Sequence, residues 1–308
     1  MKKHFFHLFL LVGFFIQGSA VQAKTVNVNC DNKSLANKLA NLNKNKSHTV
    51  NVKGTCTEDL VITGFKHLTI AGNPTATLAP TVYDPADAAA STVTLTVEDS
   101  NLTLRSLTVN AGSEGIRCYL RSICDLEDVI VESGHNGMSY QDQSQGFIRG
   151  ASAIQNSLGI GLGIFGASSV NLRPEPFPGG GPGPTISGHG SAGVAMLDGS
   201  FFRADEATIS GNDIGILGRR NVIVKFFNGG GITGNTSDGI SLTASSTGQL
   251  ITDVTLNGGN GASVGTLSYL TVAGSTITAN TGLSVSCLDS NVVVDLISLA
   301  TIDSTNCP

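Results

Sequence analysis

Tryptophan is absent from this 308-residue chain, and tyrosine and methionine number only four and three. Sugar-binding platforms usually rest on flat amphipathic rings, so the composition argues against strong neutral-glycan binding unless a loop or partner supplies the surface. Charge is thin too, with Asp, Glu, Lys and Arg making up 13% of the residues and a net charge of −5. That balance disfavours nucleic acid or an anionic membrane as partner. There is no CxxC pair or close Cys/His cluster, so a zinc site is not expected, and neither is another cofactor. Beyond residue 23 no run is long and apolar enough to cross a membrane. Beyond residue 46 no segment carries a convincing helical period.

What is present begins with "MKKHFFHLFLLVGFFIQGSAVQAK". Lys2 and Lys3, the apolar run Phe5 to Ile16 and the small residues "AVQA" predict a secretory signal over residues 1–23, cleaved near Ala23. Export to the periplasm, the cell exterior or the medium follows. Removing Lys2 and Lys3 leaves 18 − 2 = 16 basic against 23 acidic side chains, a charge near −7. The six cysteines, Cys30, Cys56, Cys118, Cys124, Cys287 and Cys307, all lie in the exported part. An even count there favours disulfides. Sequence permits about fifteen pairings; neighbours along the chain suggest 30–56, 118–124 and 287–307.

The strongest signal is a repeat. A Gly-aliphatic step recurs at Gly115, Gly137, Gly161, Gly193, Gly215, Gly239, Gly261 and Gly282, at spacings of 22, 24, 32, 22, 24, 22 and 21 residues. Self-similarity at such a period marks a stacked array. Within each period, runs such as "NVIVKFF" alternate with period two and are rich in β-branched residues, so they read as strands. Leucine-rich and propeller signatures are missing, whereas a three-sided β-coil needs about two dozen residues per turn. In such a coil, equivalent residues stack at about 4.8 Å. "ISGHG", "ISGND", "ITGNT" and "ITANT" then place His189, Asn212, Asn235 and Asn280 in one turn ladder. Phe147, Phe165, Phe201, Phe202, Phe226 and Phe227 are expected to stack inside the coil.

These coils, the Asn/Gly turns and the opening "VNVKGTCTEDLVITGFKHLTIAGN" resemble the right-handed parallel β-helix, or pectin-lyase-like, superfamily in its exported bacterial-type form. The resemblance covers residues 47 to 308. It implies an all-β, single-stranded right-handed parallel β-helix (a solenoid) of about ten coils, with a short N-terminal capping α-helix. Residues 24–46 would form the N-terminal strand and cap, with Leu35, Ala36, Leu39 and Leu42 on one apolar stripe. The superfamily holds lyases, hydrolases, epimerases and non-catalytic adhesins, so the fold does not fix an activity. Hydrolase members carry Asn-x-Asp, Asp-Asp, His-Gly and Arg-x-Lys elements. This chain offers His189-Gly190 and Asp205-Glu206, but no Asp-Asp or Arg-x-Lys. Asp125, Glu127 and Asp128 lie too far from Asp205 and Glu206 to share a calcium ion.

Aligning coils on Ser144, Ser168 and Ser200 puts Arg149 and Arg173 in one column, with Arg203 and Lys225 nearby. Two expectations of different class follow. Two insertions, "APTVYDPADAAAST" and "RPEPFPGGGPGPT", break the period, and the leading expectation is a monomeric, non-catalytic surface or adhesin-like module that uses the coil as a rigid spacer and the second, Pro-Gly insertion as its contact to a cell-surface partner. The other is a metal-independent lyase on an acidic polysaccharide. There Arg149, Arg173, Arg203 and Lys225 hold and deprotonate a uronate. The neighbouring Asp205, Glu127 and Asp128 are placed to cancel that basic strip by ordinary ion pairing.

Overall fold

The computed structural model describes residues 24–176, 181–297 and 300–307; the secretory signal expected over residues 1–23 lies outside them. The chain winds into a right-handed parallel β-solenoid of about 12 turns, with a single short helix among the described residues. Each turn runs through three flat faces. The first face is a column of parallel strands from Lys24–Asn29 through Asn101–Arg105 and Gln145–Arg149 to Val293–Ile297. The second holds short strands such as Thr108–Asn110 and Thr208–Ser210. The third is a ten-stranded sheet from Leu60–Thr63 to Val285–Cys287. The first column is thus longer than the ten coils expected, because Lys24–Asn29 and Ser47–Thr57 already pair as coil strands before the clear repeat begins.

Period-two alternation decides what the coil buries. On the third face Ile116, Met138, Leu162, Val194, Ile216 and Ile240 stack in register and are fully enclosed. Of the phenylalanines expected inside, Phe202 and Phe226 are fully buried. Phe147, Phe201 and Phe227 instead face outward on the first face. They share the strand parity of Arg149, Arg203 and Lys225, and adjacent pairs such as Phe201-Phe202 must split across the sheet. Phe165 follows the strand Leu162–Ile164 and is only half-buried on the third face.

The turn between the second and third faces explains the recurring skeleton. The backbone N–H of His189 donates to Asn212 Oδ1, that of Asn212 to Asn235 Oδ1, that of Asn235 to Asn257 Oδ1 and that of Asn257 to Asn280 Oδ1, all at 3.0–3.1 Å. Side-chain amides also bond along the column, Asn212 Nδ2 to Asn235 Oδ1 at 3.0 Å and Asn235 Nδ2 to Asn257 Oδ1 at 2.9 Å. Asn257 is a rung missed from the sequence, since Leu256 stands where Gly211 and Gly234 stand in two of the recognised coils. All three adopt left-handed backbone, with φ of 59°, 65° and 64°. Four of the Gly-aliphatic glycines, Gly193, Gly215, Gly239 and Gly261, lie against side-chain amides of the same ladder, whereas Gly115 and Gly137 lie against the backbone of the next coil. A Cβ on Gly193 would come within 2.6 Å of Asn212 Nδ2, and one on Gly261 within 2.7 Å of Asn280 Nδ2. The final step does not fit: Ala262 pairs with Val285, so Ser284 rather than Gly282 occupies the last position of the column.

The open N-terminal end is covered by the helix Leu35–Ala40, whose Leu35 and Leu39 are buried; Ala36 is exposed, and Leu42 packs against the core from beyond the helix. Ser34 caps it by accepting from Asn37 N, and Glu58 accepts from Leu35 N and Ala36 N at 2.9 and 2.7 Å. A carboxylate there satisfies amides that have no intrahelical partner and complements the helix dipole. Disulfides join Cys30 to Cys56 at this end, Cys287 to Cys307 at the other, and Cys118 to Cys124 between adjoining faces of one coil.

Candidate functional site

The first face carries the four basic residues singled out above. Arg149 and Arg173 are direct vertical neighbours. Arg203 and Lys225 are also vertical neighbours, but in the adjacent outward column, whose preceding rung is Asn171. The four therefore sit on successive coils without forming one straight line.

Acidic side chains of the same face neutralise part of this strip. Arg105 Nε pairs with Glu127 at 3.1 Å. Arg149 reaches Asp125 at 3.8 Å and Glu175 at 3.7 Å. Arg203 forms a two-pronged contact with Asp205, Nε to Oδ2 at 2.7 Å and Nη2 to Oδ1 at 3.2 Å. The Asp205 hydrogen bond holds the Arg203 guanidinium above its ordinary pKa, so Arg203 is a fixed cation and no proton acceptor. Asp205 thus cancels Arg203 as expected, whereas Glu127 is taken by Arg105 and Asp128 Oδ1 by the backbone N–H of Ala151.

Arg173 is different. Among the described residues it has no carboxylate within ion-pair distance, and its guanidinium lies 4.6 Å from the Phe147 ring centroid. The buried Nε atoms of Arg149 and Arg173 have no hydrogen-bond partner there either. Arg173, Phe147, Asn171, Arg203 and Asp205 line a concavity of about 190 Å³. The basic strip thus contracts to one anion-sized recess, with an aromatic floor under its free guanidinium. Phe147 and Asn171 were missed from the sequence; their two-residue offset from Arg149 and Arg173 is the signal that places them on the same outward surface.

His189, the hydrolase-like candidate, is spent inside the coil. Its Nδ1 accepts from Ser157 N at 3.1 Å and its Nε2 donates to Ile154 O at 3.1 Å, which fixes a neutral ring. Burial lowers its pKa to about 4 despite the Ile154 hydrogen bond. No group of three metal-ligating side chains occurs among the described residues.

Residue types, register and solenoid together define the class: the chain has the right-handed parallel β-helix of the pectin-lyase-like fold. No family model and no curated protein sequence matches it. Among solved structures it is similar to the periplasmic alginate epimerase AlgG, at 12% identity and TM-score 0.55, over 89% of this chain and 83% of that one. It is also similar to the A-module of the mannuronan C-5 epimerase AlgE4 from Azotobacter vinelandii, at 12% identity and TM-score 0.54, over 85% and 91% of the two chains.

Proposed function

We propose that this is an exported polysaccharide-active protein that holds an acidic glycan on its first face, with Arg173 as the contact to a uronate carboxylate. The observation that carries the reading is Arg173 itself: a guanidinium stacked on Phe147, lining a recess, without a carboxylate of its own among the described residues. Neutralising a uronate carboxylate acidifies the neighbouring C–H, the opening step of both elimination and epimerisation. Lys225 stands two coils from Arg173, about 10 Å at the strand spacing, too far to take the proton that Arg173 would acidify, so it is assigned to holding a carboxylate further along the bound chain. The similar epimerases act on such polymers by name, which favours an enzyme over the non-catalytic surface module; that module draws no support from them.

The test is binding and turnover on alginate, pectate and glycosaminoglycan oligomers, with unsaturated uronate read by ultraviolet absorbance and epimerisation by NMR. Arg173→Ala removes a charge-assisted contact worth about 1.5–3 kcal/mol, so affinity should fall by roughly 10- to 150-fold. Binding of no acidic polymer, or equal binding by Arg173→Ala, would refute the reading.

A further inference from the structure

A second concavity lies on the third face and has a different character. Its volume is about 270 Å³, just below the roughly 300–1,000 Å³ typical of ligand pockets. Its lining comes from the strands Glu114–Tyr119, Asn136–Tyr140 and Leu162–Ile164 and the residues beside them, with Ala88 of the first insertion as a wall. That insertion is built onto the coil. Asp59 accepts from Thr81 N at 2.9 Å and from Thr92 Oγ1 at 2.7 Å, and His135 Nε2 donates to Asp84 O at 2.7 Å. The Tyr83 ring meets His135 edge-on at 5.9 Å. The wall is therefore held in place by both of its ends and its middle.

Charge inside the cleft cancels. Arg117 Nε donates to Glu114 at 2.7 Å, and Glu114 is only 6% exposed. Burial pushes the Glu114 carboxyl above its usual range, against the Ser139 hydrogen bond and Arg117. With Glu114 buried and the Arg117 side chain 40% exposed, the pair is balanced in charge and offers little to a net ion. Uncommitted polar atoms surround it. Gln141 gives its Nε2 to Ser139 Oγ at 2.8 Å and keeps its Oε1, while the Arg117 terminal nitrogens have no ion-pair partner among the described residues. Against this polar edge stands the Phe165 ring, which lies down on the sheet because Gly163 beneath it has no side chain; a Cβ there would come within 2.5 Å of the ring. One aromatic surface and one fan of donors and acceptors carrying no net charge match a pyranose, which has an apolar face and hydroxyls on its rim.

We propose that this cleft is a binding subsite for an uncharged pyranose unit, stacked on Phe165 and hydrogen-bonded by Arg117, Gln141 and Glu114. It is separate from the first-face recess and does not depend on it. The experiment is saturation-transfer NMR on the purified protein with methyl glycosides of glucose, galactose and mannose, and with methyl glucuronide as the acidic probe. Transfer to the ring protons of at least one neutral glycoside is expected. Phe165→Ala should abolish it, Glu114→Gln should weaken affinity at least tenfold, and Arg173→Ala should leave it unchanged. Phe165 is outside the core, so its variant decides the matter should Glu114→Gln fail to fold. No transfer to any neutral glycoside, transfer that survives Phe165→Ala, or stronger binding of the glucuronide would each overturn the assignment. Loss on Arg173→Ala alone would place the sugar on the first face and overturn it as well.

Discussion

Replacing Asn235 with Ala probes the physical device that fixes the coil. Asn235 is 1% exposed, and its Oδ1 accepts both from the backbone N–H of Asn212 at 3.1 Å and from Asn212 Nδ2 at 3.0 Å. The substitution orphans the first donor completely. The second keeps only a 3.4 Å contact to Ile186 O. Asn257 Oδ1, on the other side, still receives the backbone N–H of residue 235. One full and one partial orphan, at about 1–3 kcal/mol for each buried group, give a loss of about 2–4 kcal/mol. The same change at Asn280, which is half-exposed at the end of the ladder, lets water replace the lost acceptor and should cost about 1 kcal/mol. Urea unfolding by far-ultraviolet circular dichroism measures the difference. Hydrogen exchange then shows where it falls, because a stacked array loses stability locally. Faster exchange should centre on residues 209–240. Equal effects at the two positions, or a loss below about 0.5 kcal/mol at Asn235, would refute the reasoning.

Protonation of His189 should couple stability to pH. The folded ring titrates at about 4 and the unfolded one near 6.5, so the unfolded chain binds the extra proton between these values. Stability is full above about pH 6.5 and should fall by about 3 kcal/mol as the pH drops to about 4; His189→Asn, which continues the amide ladder, should flatten that slope in acid-unfolding curves. The disulfides should rank by the loop each closes. With separations of 26 and 6 residues, removing Cys30–Cys56 should cost about 3.5 kcal/mol and removing Cys118–Cys124 about 2.4 kcal/mol, read from thermal unfolding of the paired Cys→Ala variants.

The repeat was legible because each feature of the coil has a local chemical cause. Strand alternation records the inward face, and Gly193, Gly215, Gly239 and Gly261 mark where an amide of the ladder leaves no room for a side chain. Asn257 escaped because a left-handed Leu256 took the place of glycine, a strain that local propensity does not forecast but stacked neighbours impose. The site was less legible. Arg149, Arg173, Arg203 and Lys225 could be assigned to neighbouring coils by counting. Which of them keep free charge depends on rotamers and on partners such as Glu175, from an insertion outside the period. The third-face cleft was hidden for a related reason. Glu114 and Arg117 belong to no motif of the repeat, and the cleft exists only because the first insertion, 22 to 35 residues before Glu114, supplies a wall.

The vertical register underlies every functional statement above, and cross-linking measures it directly. Ser169 and Phe201 are paired across adjacent coils although 32 residues apart, and both side chains face outward. Strand spacing of about 4.8 Å lies inside the Cα separation a disulfide tolerates. Introducing Ser169→Cys with Phe201→Cys should yield a cross-link under mild oxidation, identified by mass spectrometry of the digested protein. Ser169→Cys with Phe202→Cys, whose second position points into the core, should not. A cross-link in the second pair and none in the first would contradict the register and the placement of Arg173 that depends on it.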